Sequence, residues 1–132
     1  MNPWKSWLIL LTLIIFSCKG KNKEQYAGLS AQKLVIRDSI IDLGNVKWKT
    51  RVNGKFQIIN KSAETINIEK VQTDCECTST NITKRELSPD ESSEITLAYD
   101  STREGLFQSI GMVYIKGLQE PLILLLRGDV VK

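Results

Sequence analysis

From Leu34 onward, apolar and polar residues alternate in short runs, the period of a strand with one buried face. The run Arg51 to Asn60 is the plainest, with Val52, Phe56 and Ile58 on one face and Arg51, Lys55 and Gln57 on the other. Ile95, Leu97 and Tyr99 alternate with Glu94, Thr96 and Ala98 in the same way. Further strands are predicted over 34–36, 39–42, 66–71, 105–115 and 122–126. Turn chemistry separates them at Asn60-Lys61-Ser62, at Leu87-Ser88-Pro89-Asp90 and between Gly117 and Pro121. No long stretch of this region carries the i, i+3, i+4 spacing of an amphipathic helix. About seven short strands parted by turns predict an all-β chain, folded as a single antiparallel β-sandwich. Phe56, Ile58, Ile66, Ile68, Ile95, Leu97, Tyr99 and Phe107 are its expected core.

The beginning of the chain follows a different rule. Lys5 is followed by the apolar run Trp7 to Phe16, about half the roughly 20 residues that a membrane-spanning helix needs. A basic start, a short apolar stretch and a small residue make a secretory signal over residues 1–17. Its end, Ile15-Phe16-Ser17-Cys18, resembles a bacterial lipobox. That resemblance implies cleavage before Cys18, diacylglycerol on its sulfur and an acyl chain such as palmitate on the new amine. Residues 18–32 then read as a lipidated N-terminus and flexible polar tether, and residues 33–132 as the folded domain. One acyl chain holds a protein only reversibly, whereas two or more make a stable anchor. The expected location is the bacterial cell envelope, facing the periplasm or the cell surface. Lys19 follows the cysteine where an inner-membrane retention signal has Asp, which favours the outer membrane.

Composition narrows the chemistry. Across 132 residues the formal net charge is +3, with no block of one sign, so the footprint of a nucleic-acid binder is missing. Histidine is absent, which removes Ser-His-Asp and Cys-His catalysis and histidine-ligated metal sites. The scattered carboxylates show no pairing of the kind that hydrolysis of glycosides uses. An enzyme is therefore not expected.

Cys75 and Cys77 carry what reactive chemistry there is. Two residues apart on an extended segment they share a face. Three readings compete: a short disulfide, a thiolate pair for a soft metal such as copper, and two small buried side chains. In an oxidising compartment, with Cys18 consumed by lipid, the disulfide leads. Fully extended geometry would hold the Cα atoms about 6.6–6.8 Å apart, at the edge of bridging range, so the backbone has to bend there. Lys47, Lys49 and Arg51 alternate with Trp48, Thr50 and Val52, a basic strand edge that either is merely solvated or meets a partner. Leu122 to Leu126 is apolar on both faces, which leaves Ile123 and Leu125 pointing outward, either covered by the tether or a neighbouring strand or open as a partner surface. Asn60-Lys61-Ser62 and Asn81-Ile82-Thr83 match the N-glycosylation sequon, a weak signal in a bacterial envelope protein.

Taken in order, several segments resemble a known family. They are Asp42-Leu43-Gly44-Asn45-Val46, Phe56-Gln57-Ile58-Ile59-Asn60-Lys61-Ser62, Ile66-Asn67-Ile68-Glu69-Lys70-Val71 and Cys75-Glu76-Cys77-Thr78. Leu87-Ser88-Pro89-Asp90, Ile95-Thr96-Leu97-Ala98-Tyr99-Asp100, Gly105-Leu106-Phe107 and Arg127-Gly128-Asp129-Val130 continue the series. The chain thereby resembles the bacterial domain-of-unknown-function family 1573, small exported proteins that are often lipoproteins. The resemblance implies an immunoglobulin-like sandwich related in shape to major-sperm-protein and cilia-associated domains, and it implies no activity. Glu76 stands where the family usually has Gly between the cysteines, and Pro89-Asp90 where it has Pro-Gly. The expected function is a non-enzymatic, lipid-anchored envelope protein whose module binds an envelope protein or takes part in an assembly. The alternative is a thiol-redox or copper-handling lipoprotein working through Cys75 and Cys77.

Overall fold

The computed structural model describes residues 34–132. The signal peptide, Cys18 and the tether expected from the sequence lie outside the described residues. Nine strands follow one another: β1 (Leu34–Arg37), β2 (Ile40–Lys47), β3 (Arg51–Asn60), β4 (Ile66–Thr73), β5 (Thr78–Ile82), β6 (Glu86–Leu87), β7 (Ser92–Asp100), β8 (Gly105–Ile115) and β9 (Leu122–Val131). They form a four-stranded sheet, β1-β3-β7-β5, and a five-stranded sheet, β2-β9-β8-β4-β6.

The all-β sandwich expectation holds, with two differences. The extra strands are β5 and β6, which carry little apolar alternation because each sits at a sheet edge. The fold is also not purely antiparallel, since β2 runs parallel to β9. This follows from a switch of sheets at the start of the chain. β1 pairs with β3 in one sheet, the backbone turns at Asp38 with φ 49°, and β2 joins the other sheet beside the last strand.

All eight expected core residues are buried. Phe56, Ile58, Ile95 and Leu97 of the four-stranded sheet face Ile68, Val113, Ile115, Leu124 and Leu126 of the other. Near one end the rings of Tyr99 and Phe107 stack, with centroids 4.0 Å apart. Polar groups inside are paired. Asn60 is fully buried; its amide donates to the carbonyls of Glu64 and Leu87 at 2.8 and 2.9 Å, and its oxygen accepts from the Ser62 backbone and hydroxyl. The first sequon thus has its asparagine consumed by the core.

Two turns settle how this chain departs from the family pattern. Pro89 and Asp90 occupy the middle of a turn closed by the Glu91 N–H on the Ser88 carbonyl at 3.1 Å. Asp90 takes the left-handed φ of 62° that glycine adopts without cost. Glu76 carries no such burden: among the described non-glycine residues only Asp38, Lys49 and Asp90 have positive φ.

Candidate functional surface

The two outer faces of the sandwich differ in character. That of the four-stranded sheet is mainly polar: β3 presents Arg51, Asn53, Lys55 and Gln57, and β7 presents Glu94, Thr96 and Asp100, with Val35 and Ile59 an apolar pair at the β1 edge. Cross-strand ion pairs lace it, Lys55 to Glu94 at 3.0 Å and Arg51 to Asp100 at 3.4 Å.

The outer face of the five-stranded sheet divides in two. Toward one end Asp42, Arg127 and Gln108 form a row across β2, β9 and β8, with Arg127 donating to Asp42 at 2.9 Å. The Gly44 N–H also donates to the Asp42 carboxylate at 2.9 Å, and together these hold its pKa below the ordinary carboxylate value. The next row is Ile40, Leu125 and Ile110, and the one after it contains Ile123 beside Met112. Ile40 is 55% and Ile123 50% exposed; the other three are half-buried. Tyr114 extends the patch along β8, with the Lys70 ammonium 4.5 Å from its ring centre. The patch thus has an apolar centre and a charged border on adjacent strands.

Ile123 and Leu125 therefore stand where the alternation of β9 put them. Ile40, Ile110, Met112 and Tyr114 do not stand out in the sequence, because the apolar runs of β2 and β8 do not say which strand lies beside which. Only the register that lines up β2, β9 and β8 makes them neighbours.

The basic residues do not form one edge, which corrects the expectation of an alternating strand there. Lys47 ends β2 and Arg51 begins β3, while Trp48 and Lys49 turn the chain from one sheet to the other, Lys49 with φ 56°. Trp48 packs against the core, and its indole N–H donates to the Thr102 carbonyl at 3.2 Å. The ammonium groups of Lys49 and Lys132 lie 4.0 and 5.5 Å from its ring centre. The reason for the turn is buried Ser101, whose carbonyl accepts from the Lys49 N–H and whose hydroxyl accepts from the Thr50 N–H. Arg51 leaves the corner to pair with Asp100 and to donate to Ser79.

Cys75 and Cys77 lie in the turn that carries the chain from β4 to β5, and the structure joins their sulfurs. The bend brings the Cα atoms to 5.2 Å, inside bridging range, which removes the difficulty posed by an extended segment. Thr73 holds the turn by donating toward the carbonyls of Cys75 and Thr78, and the Thr78 N–H returns to the Cys75 carbonyl at 3.2 Å. Asp74 anchors it to β8, its carboxylate accepting from the Ile110 N–H at 2.9 Å. The turn therefore borders the apolar patch. Among the described residues no group of three or more His, Cys, Asp or Glu side chains is placed to hold a metal ion, and no helix is long and apolar enough to cross a membrane.

Solved structures share this fold at low identity. A protein of unknown function from Porphyromonas gingivalis W83 matches with a TM-score of 0.64 and 12% identity, over 80% of this chain and 51% of its own. The VesB protease of Vibrio cholerae matches with 0.62 and 17%, over 77% of this chain but only 32% of its own. The ASH / PapD-like domain 7 of human CEP192 matches with 0.61 and 10%, over 76% of this chain and 86% of its own. The chain thus spans about a third of the protease and half of the P. gingivalis protein. At these identities the likeness concerns the fold alone. No curated protein matches the sequence. The sequence profile of a family described only as a protein of unknown function covers residues 34–130, almost the whole sandwich, and the chain belongs to that family, DUF1573.

Proposed function

We propose that the chain is a non-enzymatic, lipid-anchored binding module of the bacterial cell envelope that meets a protein partner through the outer face of its five-stranded sheet. The observation that carries the reading is the apolar half of that face: Ile40, Leu125, Ile110, Ile123 and Met112 in register on three adjacent strands. The opposite outer face carries cross-strand ion pairs, and its large apolar residues, Val35 and Ile59, are confined to the β1 edge. The bordering Asp42, Arg127 and Lys70 supply directional contacts around an apolar centre. Anchoring by lipid on Cys18 supports the same role, since it confines the module to a membrane surface and raises the frequency with which a partner there is met.

The test is photo-crosslinking in intact cells, with a photo-reactive residue replacing Ile123 on the apolar face or Lys55 on the polar one. A protein adduct is expected from position 123, absent from position 55, and lost when Leu125→Glu is added. Equal adducts at both positions, or none at 123, would overturn the assignment of the face.

A further inference from the structure

β5 is the outermost strand of the four-stranded sheet, opposite β1. Its edge differs from the others among the described residues. β1 has only four residues and ends in Arg37 and the left-handed Asp38. β2 is broken by an irregularity between Asp42 and Asn45 and carries Asp42 and Lys47. β4 has its own irregularity between Ile68 and Lys70, and Arg85 covers the Glu69 carbonyl at 2.7 Å; β6 is two residues long. Short strands, bulges and charges are what keep sheet edges from pairing with other chains. β5, Thr78-Ser79-Thr80-Asn81-Ile82, has no charge, no proline and no bulge.

The hydrogen bonds say which of its groups are open. The Asp100 N–H donates to the Cys77 carbonyl and the Thr83 N–H to the Glu94 carbonyl, each at 3.0 Å. By the alternation of an antiparallel ladder, Ser79 and Asn81 also face β7, whereas Thr78, Thr80 and Ile82 face away. Thr78 has its N–H on Cys75 and its carbonyl under Thr73. Among the described residues, none bonds to the backbone donors and acceptors of Thr80 and Ile82 on that open side.

We infer that β5 pairs antiparallel with the β5 of a second copy of this chain, about a two-fold axis between the two Asn81 residues. In this register Thr80 of each copy faces Ile82 of the other, and all four open residues bond reciprocally, each exchanging both of its backbone groups. The ends match as well. The turn before β5 carries Asp74 and Glu76, and the segment after it Lys84, Arg85 and Glu86; with Lys84 paired to Glu91 in its own copy, an antiparallel pair brings Arg85 of one copy to the Glu76 end of the other. The contact is isologous and therefore closes at a dimer. An antiparallel pair within one sheet has its two-fold axis perpendicular to that sheet, so both five-stranded sheets lie on the same side. Two apolar faces then point the same way.

The experiment uses the full-length chain in membranes of expressing cells. At the two-fold axis the Asn81 pair is of the non-hydrogen-bonded kind, with Cα atoms about 4.5 Å apart, within the range that a disulfide spans. Along the strand Asn81 is roughly 13 Å from Cys77, so a cysteine there meets no thiol of its own chain. Asn81→Cys should give a covalent dimer on mild oxidation, while Lys55→Cys and the wild type should not. Thr80→Pro deletes an N–H that is unused in the single copy. Sedimentation of the detergent-purified chain should show self-association weakened at least tenfold, with an unchanged strand signal in circular dichroism. Should the proline unfold the chain, Asn81→Glu sets two like charges on the axis and has the same expected effect. A monomeric wild type, no link at position 81, links as strong at 55, adducts only with other proteins, or dimers that survive both substitutions would each overturn the pairing.

Discussion

Phe56 shows what a single core residue contributes. It is fully buried in the middle of β3, in register with Ile95 and against the opposite sheet. Phe56→Ala should lower unfolding free energy by about 3–5 kcal/mol, read from chemical denaturation. A smaller residue makes the opposite case. A methyl group on Gly128 would sit 2.8 Å from the Phe107 ring and 2.9 Å from the Gly44 carbonyl. The ring can shift but the backbone of β2 cannot do so without losing its pairing with β9. Gly128→Ala should therefore cost about 1–3 kcal/mol, although the change adds apolar surface. A neutral result in the same denaturation series would mean that β2 is free to move. Gly44 itself, with φ 60°, supplies the left-handed residue at the irregularity where its carbonyl comes so near.

At the scale of elements, two carboxylates tie turns and strands together. Asp42 is held below its usual pKa by the Gly44 N–H and by Arg127, and Glu91 by Lys84 and the Ser88 N–H. Each binds protons less readily when folded than when unfolded, so its stabilisation is present above the unfolded pKa and is lost as pH falls through the folded value. Stability should drop as the medium passes through and below the ordinary carboxylate range. In Asp42→Asn combined with Glu91→Gln, that acid limb should be shallower when unfolding is followed against pH. The turn between β4 and β5 gives the other prediction. A three-residue loop closed by Cys75 and Cys77 is worth about 1.6 kcal/mol in the chain-entropy account, small beside a core of this size. Protein whose two cysteines are alkylated after reduction should keep its strand spectrum and lose no more than about that amount. Thr73 and Asp74 hold the turn without the sulfurs.

For the whole molecule, the sandwich is one part of a chain whose first 33 residues precede it. The lipid proposed at Cys18 makes the prediction that belongs to this scale. With Cys18→Ser, radiolabelled fatty acid should no longer follow the protein, and it should leave the membrane fraction or remain as the longer unprocessed form. Equal labelling of the variant would refute lipidation at that residue.

The sequence by itself determined the fold class and the core. Alternation in β3 and β7 and the turn residues at Ser88 to Asp90 are local properties, written in consecutive positions, and a period of two has one solution for which face is buried. The outward direction of Ile123 and Leu125 came from the same rule. Only the tertiary structure decided what depends on register between distant segments. The parallel pairing of β2 with β9 aligns Ile40 with Leu125, residues 85 positions apart in number, and nothing in either strand names the other. Ser101 decided the corner at Trp48 and Lys49 in the same manner, by reaching from the end of β7 into a turn that local alternation reads as strand. Edge strands such as β5 escaped the pattern for a related reason: with one neighbour and little buried surface, their residues are chosen by contacts across the sheet rather than by a period along the chain.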